Sequence, residues 1–126
     1  MKKIIYTDKA PAPIGPYSQA VLFGNTLFTS GQVAINPENG ELVLDNIEVE
    51  TKRVMENLKA VLAAADMTFE NVVKTTIFLS DMNDFAKVNT VYAGYINEKT
   101  APARETVQVS VLPKQVNVEI SMIAMR

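Results

Sequence analysis

The sequence predicts a single α+β domain, a mixed sheet with two helices packed on one of its faces. Three observations predict it. Strand-like segments open and close the chain, and two segments with apolar residues at spacings of three and four lie between them. The chain has 126 residues, 48% of them hydrophobic and 21% charged, which is one domain's worth of ordinary globular polypeptide. Two helices cover one sheet face only, yet Asn71–Ser80 and Asn117–Met125 carry large apolar groups on both. An uncovered face of this kind needs a partner, most simply another copy of the chain, so a homo-oligomer is expected.

The elements follow in order. Lys2–Tyr6 reads as a short strand. Ala10–Pro16 holds three of the six prolines, which lack a backbone donor and fix φ, so this stretch is an ordered extended loop. Ser18–Phe23 and Thr26–Ala34 are Val-, Leu- and Phe-rich strands around a Gly24-Asn25 turn. Asn36–Gly40 is a stronger turn, because Asn-Gly tolerates positive φ, and it closes a small hairpin with Glu41–Leu44. Asp45–Asp66 is the clearest helix. Thr51, Val54, Met55, Leu58, Val61, Leu62 and Ala65 form its apolar stripe, Lys52 and Glu56 lie opposite, and Asp45 or Asn46 can cap its start.

Asn71–Ser80 is the next strand, and Asp81–Asp84 a turn or cap. Phe85, Val88, Tyr92, Tyr95 and Ile96 mark a second amphipathic helix ending near Lys99, stopped by Ala101-Pro102. Arg104–Leu112 and Asn117–Met125 are the last strands. In the first, Val107, Val109 and Val111 oppose Arg104, Thr106, Gln108 and Ser110. In the second, Val118, Ile120, Met122 and Ala124 oppose Asn117, Glu119 and Ser121.

Composition then narrows the chemistry. There are no Cys and no His residues, so the usual zinc, iron and copper sites and the His-based nucleophile systems cannot be built. Proton transfer near neutral pH falls to Asp, Glu, Lys, Tyr, Ser, Thr, backbone or water. The net charge of -2 shows no basic excess for phosphate contacts, which argues against a general nucleic-acid binder. No stretch approaches the length of a membrane span, so a soluble cytoplasmic protein is the expectation.

Of the three arginines, Arg53, Arg104 and Arg126, Arg104 stands apart. A Pro-containing turn sets it at the mouth of a strand among small polar neighbours. There it can grip a carboxylate through two parallel hydrogen bonds, or form an internal salt bridge to Glu105 or Glu119. Glu119 interrupts the apolar last strand. A carboxylate there is costly unless paired or protonated, and partial burial suits it to acid–base work. An Arg–Glu structural pair or an exposed strand face is the alternative. Tyr17 follows the proline loop. Ser30-Gly31-Gln32 breaks a hydrophobic strand, where Gly admits a close backbone approach and Ser30, with no activating His, reads as a hydrogen-bond donor. Asn89 can cap or line a site, and Asp84 reads as a cap or solvated position.

Several segments together resemble the RidA (YjgF-like) family. They are Ala10–Ala20, Thr29-Ser30-Gly31-Gln32, Lys74–Leu79, Asp81–Phe85, Val88-Asn89, Ala101-Pro102-Ala103-Arg104, Leu112-Pro113-Lys114 and Val118-Glu119-Ile120. The resemblance runs over nearly the whole chain in the family's order. It implies a chorismate-mutase-like fold and a homotrimer with sheets inward, helices outward and clefts between subunits. It further implies cofactor-independent hydrolysis of reactive enamine/imine intermediates, such as 2-aminoacrylate and 2-aminocrotonate, to 2-oxo acids and ammonia. Arg104 matches the arginine that holds the substrate carboxylate, and Glu119 the glutamate that positions or activates water. Tyr17, Ser30, Gly31 and Asn89 match cleft-lining positions. Thr106 is expected with them as a substrate-binding residue; it stands where many relatives carry cysteine, a change that alters cleft polarity, and the position is read as contributing its backbone. Binding of a small carboxylate without turnover is the alternative. RNA cleavage, also associated with the family, fits poorly with the charge and the absence of His. A chorismate mutase would want several cations, and only Arg104 is a clear candidate.

Overall fold

Proline, glycine and short polar turns divide the chain into six strands and two helices. The computed structural model describes Met1–Arg126 as β1 (Lys2–Ile5), β2 (Ala20–Phe23), β3 (Thr26–Thr29), α1 (Ile47–Ala64), β4 (Val72–Leu79), α2 (Phe85–Ala93), β5 (Ala103–Gln108) and β6 (Val118–Met125). The strands form one sheet in the order β1-β2-β3-β6-β4-β5. Every neighbouring pair is antiparallel except β4–β5, whose parallel crossover is made by α2. This is the expected α+β architecture. No helix is long and apolar enough to cross a membrane.

Helix α1 forms where the apolar stripe predicts it. Asn46 caps it by accepting the Val49 N–H at 2.8 Å, and every residue of the stripe from Thr51 to Ala65 is buried. It ends in a Schellman arrangement: Asp66 takes φ +58°, its N–H bonds Ala63 O, and the Met67 N–H reaches back to Leu62 O. The stripe packs on Leu22, Leu27, Ile77, Leu79, Val118, Ile120 and Met122, the residues on the helix side of the sheet. Glu50, fully buried at the start of α1, accepts three N–H bonds from Asn117 and Val118 and so pins the beginning of β6.

Four expectations are adjusted. Helix α2 stops at Ala93 rather than near Lys99, because Gly94 breaks it and a separate turn, Glu98–Thr100, follows. β3 stops at Thr29; the chain rejoins the sheet only through a single bridge from Gln32 to Ile120. The hairpin around Asn36–Gly40 is likewise one bridge, Ile35 to Leu42, with Gly40 at φ +75°. β5 ends at Gln108 instead of Leu112.

Strand registers settle which side chains share a face, because cross-strand partners point the same way. Ile4, Phe23, Phe28, Val107 and Met125 stand on the face without helices and are 43–58% exposed. On β4, however, that face is mostly polar: Lys74 and Thr76 share it with Phe78, while Thr75, Ile77 and Leu79 face the helices.

Candidate functional site

The alternation of β6 decides where its carboxylate goes. Val118, Ile120, Met122 and Ala124 turn toward the helices, so Glu119 turns to the opposite face, beside Phe78 of β4. On its other flank the sheet is interrupted at Ser30-Gly31. The Gln32 N–H bonds Ile120 O at 2.8 Å, and the Ile120 N–H bonds Gln32 O at 3.1 Å, which brings Gly31 against the glutamate. A Cβ on Gly31 would lie 2.7 Å from Glu119 Cδ and Oε1. Glycine at this position leaves room for the carboxyl group to lie against the chain; its backbone angles do not call for one. Glu119 is half-buried, and burial raises its pKa above the ordinary 4.5.

Tyr17, Ser30, Gly31 and Glu119, expected as site residues, line one cleft of about 480 Å³ together with Lys114. Buried Gln19 holds the proline loop that forms its wall. Gln19 Nε2 donates to Thr7 O, Ala10 O and Pro11 O, and its Oε1 accepts from the Thr7 N–H at 2.8 Å. A proline-rich segment has few N–H groups of its own, so a side-chain amide satisfies its carbonyls. The Ser30 hydroxyl donates to Ser18 O at 2.6 Å. Its proton is committed, so Ser30 presents an acceptor rather than the expected donor.

Sequence reasoning passed over Gln19 and Lys114. No spacing marks the first, whose burial only the structure shows. Lys114 and Gln115 both adopt left-handed backbone, φ +57° and +56°, which no composition cue announces.

Arg104 lies elsewhere. It is paired with Thr75 at the start of β5, on the helix side of the sheet, facing α2. Its Nη1 donates to Asn89 Oδ1 at 2.7 Å, and its guanidinium carbon sits 5.1 Å from the Tyr92 ring centre and 5.7 Å from that of Phe85. Tyr92 donates its hydroxyl hydrogen to Thr75 Oγ1 at 3.0 Å. Burial pushes the Tyr92 phenol pKa up, against the opposing pull of the Thr75 hydrogen bond and the Arg104 charge. Arg104, Asn89 and Tyr92 line a second cleft of about 740 Å³.

The internal salt bridges open to Arg104 are not made: Glu105 pairs with Lys74 at 3.4 Å, and Glu119 is on the other face. Asn89 binds the arginine directly. Thr106 follows on the same side of β5 and borders neither cleft; its Oγ1 is buried without a hydrogen-bond partner.

Glu119 and Arg104 therefore lie in two separate clefts, a carboxyl group in one and a guanidinium in the other, on opposite faces of one sheet. Within the chain they cannot share a small ligand.

Known proteins match the sequence and the fold closely. The family model described as Endoribonuclease L-PSP matches residues 7–126. A RutC family protein of Pyrococcus horikoshii is 53% identical over 98% of this chain and 98% of its own. The fold superposes on YyfA of Yersinia pestis, a protein of unknown function of the conserved Rid protein family. That match has a TM-score of 0.97 and 48% identity and covers 100% of both chains. It also superposes on TdcF of E. coli with bound serine, with a TM-score of 0.92 and 43% identity over 98% of each chain.

Proposed function

The chain belongs to the RidA (YjgF-like) family, and from that premise we propose that it is an enamine/imine deaminase. Its substrates are 2-aminoacrylate and 2-aminocrotonate, its products 2-oxo acids and ammonia. The observation that carries the reading is Arg104. Asn89 holds one of its N–H groups, and no carboxylate of the chain takes the others. An arginine anchored on one side and open on the other is suited to a small carboxylate. The serine bound to the E. coli relative, itself a small amino-carboxylate, supports the same ligand class.

In this reading the working molecule is a homotrimer, and each site joins Arg104, on the edge strand of one subunit, to Glu119, on the helix-free sheet face of another. The imine tautomer is already electrophilic. Arg104 fixes its carboxylate, and Glu119 orients a water toward the imine carbon. The water oxygen bonds to that carbon as Glu119 takes one of its protons, the π pair goes to nitrogen, and nitrogen takes a proton to give the neutral carbinolamine. Its nitrogen then takes a second proton, the C–N bond breaks to release ammonia, and the hydroxyl gives up its proton to leave the carbonyl of the 2-oxo acid. Positioning plus one acid–base group supplies this, the latter worth about 10²–10⁴-fold. A cytoplasmic setting goes with such substrates.

The test is to generate 2-aminoacrylate from serine with a dehydratase and follow its disappearance. Wild type is expected to accelerate the loss and Arg104→Ala to abolish the effect. No acceleration by wild type, or full activity in Arg104→Ala, refutes the reading. The bound serine of the relative equally favours carboxylate binding without turnover, which the same assay separates. The family description names RNA cleavage; a chain with net charge -2 and no His favours the small carboxylate.

A further inference from the structure

Arginine is a long, rotamer-rich side chain, and Arg104 is exposed at the edge strand of the sheet. Left to itself it would sample many orientations and lose that freedom on binding a ligand. Three residues of α2 prevent this. Phe85, Asn89 and Tyr92 stand at i, i+4 and i+7, one stripe of the helix, and all three meet the same guanidinium. Both rings lie within the roughly 6 Å range of a cation–π contact.

Tyr92 is itself fixed. Its hydroxyl bonds Thr75 Oγ1, and Thr75 is fully buried and is the register partner of Arg104 across the β4–β5 pair. Strand pairing, the phenol hydrogen bond and the cation–π contact thus close a loop, Arg104 to Thr75 to Tyr92 and back. The main chain of Arg104 and the ring its guanidinium meets are referred to the same threonine.

We infer that Tyr92 and Phe85 form an aromatic clamp that pre-organises Arg104 for a small carboxylate, making them positioning residues for that ligand. Asn89 takes one of the five guanidinium N–H groups and sets the in-plane direction. The rings set the tilt. The remaining donors are left facing outward as a fork. The inference rests on the carboxylate-binding reading above and adds residues that act through Arg104.

The clamp can be tested on the intact protein by nitrogen-15 NMR of arginine Nε–H groups. Only three arginines are present, and Arg104→Lys identifies the signal. In wild type that signal is expected to carry a ring-current shift and to be rigid. Phe85→Leu, at an exposed position, and Tyr92→Leu, which keeps apolar bulk in the core, should each reduce the shift; Tyr92→Phe, which keeps the ring, should restore it. Calorimetry with 2-oxobutyrate should show about two- to five-fold weaker binding for each ring removed. In the turnover assay the loss should fall on KM with kcat held.

A mobile, unshifted Arg104 in wild type overturns the clamp. So do folded ring variants that bind 2-oxobutyrate as tightly as wild type, since a merely structural role would move melting temperature and not affinity. If wild type fails to bind 2-oxobutyrate while the ring-dependent shift is present, the carboxylate reading falls and the clamp geometry stands.

Discussion

Replacing Gly31 by alanine should separate activity from stability. The added Cβ would sit 2.7 Å from the Glu119 carboxyl carbon and Oε1 and 2.9 Å from its Cγ. Ordinary carbon contacts begin near 3.4 Å, so the carboxyl group must retreat by about 0.7 Å or change rotamer. Glu119 is half-buried and flexible at its end, so retreat costs at most about 1 kcal/mol. Gly31 needs no positive φ, and alanine gains about 0.4–1 kcal/mol by restricting the unfolded chain. The two nearly cancel, and the melting temperature should hardly move. Activity should not survive so well. A 1 Å misplacement of a group at the reacting centre can cost about 10²-fold, so kcat/KM in the aminoacrylate assay should fall about 10- to 100-fold. The control is stability: in a Glu119→Ala background the carboxyl group that the Cβ would meet is gone, so Gly31→Ala should raise the melting temperature there by more than it does in wild type. Wild-type activity in Gly31→Ala, or the same change of melting temperature in both backgrounds, refutes this account of the glycine.

Subunit mixing tests the split site. Arg104→Ala and Glu119→Ala chains, each inactive, are unfolded together and refolded at equal amounts. If each site draws its arginine and its glutamate from different chains, about a quarter of the sites receive both and activity returns to about that fraction; no recovery in mixed oligomers rejects the split site. The raised pKa of Glu119 has two consequences with a definite sign. Its folded-state pKa lies above the ordinary 4.5, so its contribution to stability is full below that value and is lost as pH rises through the raised one. Denaturant titrations should therefore show wild type losing stability relative to Glu119→Gln over that window, and parallel curves would contradict it. As the water-orienting carboxylate, Glu119 should also place the acid limb of kcat/KM above pH 4.5, a limb absent from any residual activity of Glu119→Gln.

The α1 stripe and the β6 alternation were legible because burial imposes a period on sequence, and both survive in the structure residue for residue. The end of α2 was not, since Tyr95 and Ile96 keep the helical spacing while packing from beyond Gly94. The site was legible as a set of residue types and obscure as an arrangement. Strand parity already put Glu119 opposite Ile120. Only the register of β5 against β4 shows that Arg104 lies on the other face, and pairing partners are not written in either strand alone. Asn89 as a partner of Arg104, and Gln19 as the support of the proline loop, depend on contacts across 15 and 8–12 residues that spacing arguments do not reach.

The place of β6 in the sheet has a consequence for biogenesis. It is the final strand in sequence yet lies between β3 and β4, so it alone joins the β1–β3 meander to the β4–β5 pair. A ribosome delivers those two pieces first. Until residues 118–125 emerge, the facing edges of β3 and β4 stay open and the apolar faces of both pieces lack their common neighbour. The long sequence separation of the β3–β6 contacts makes closure a late, slow event. Nascent chains stalled before β6 should accordingly be held by chaperones or degraded, and the strand that completes the sheet is also the one that delivers Glu119.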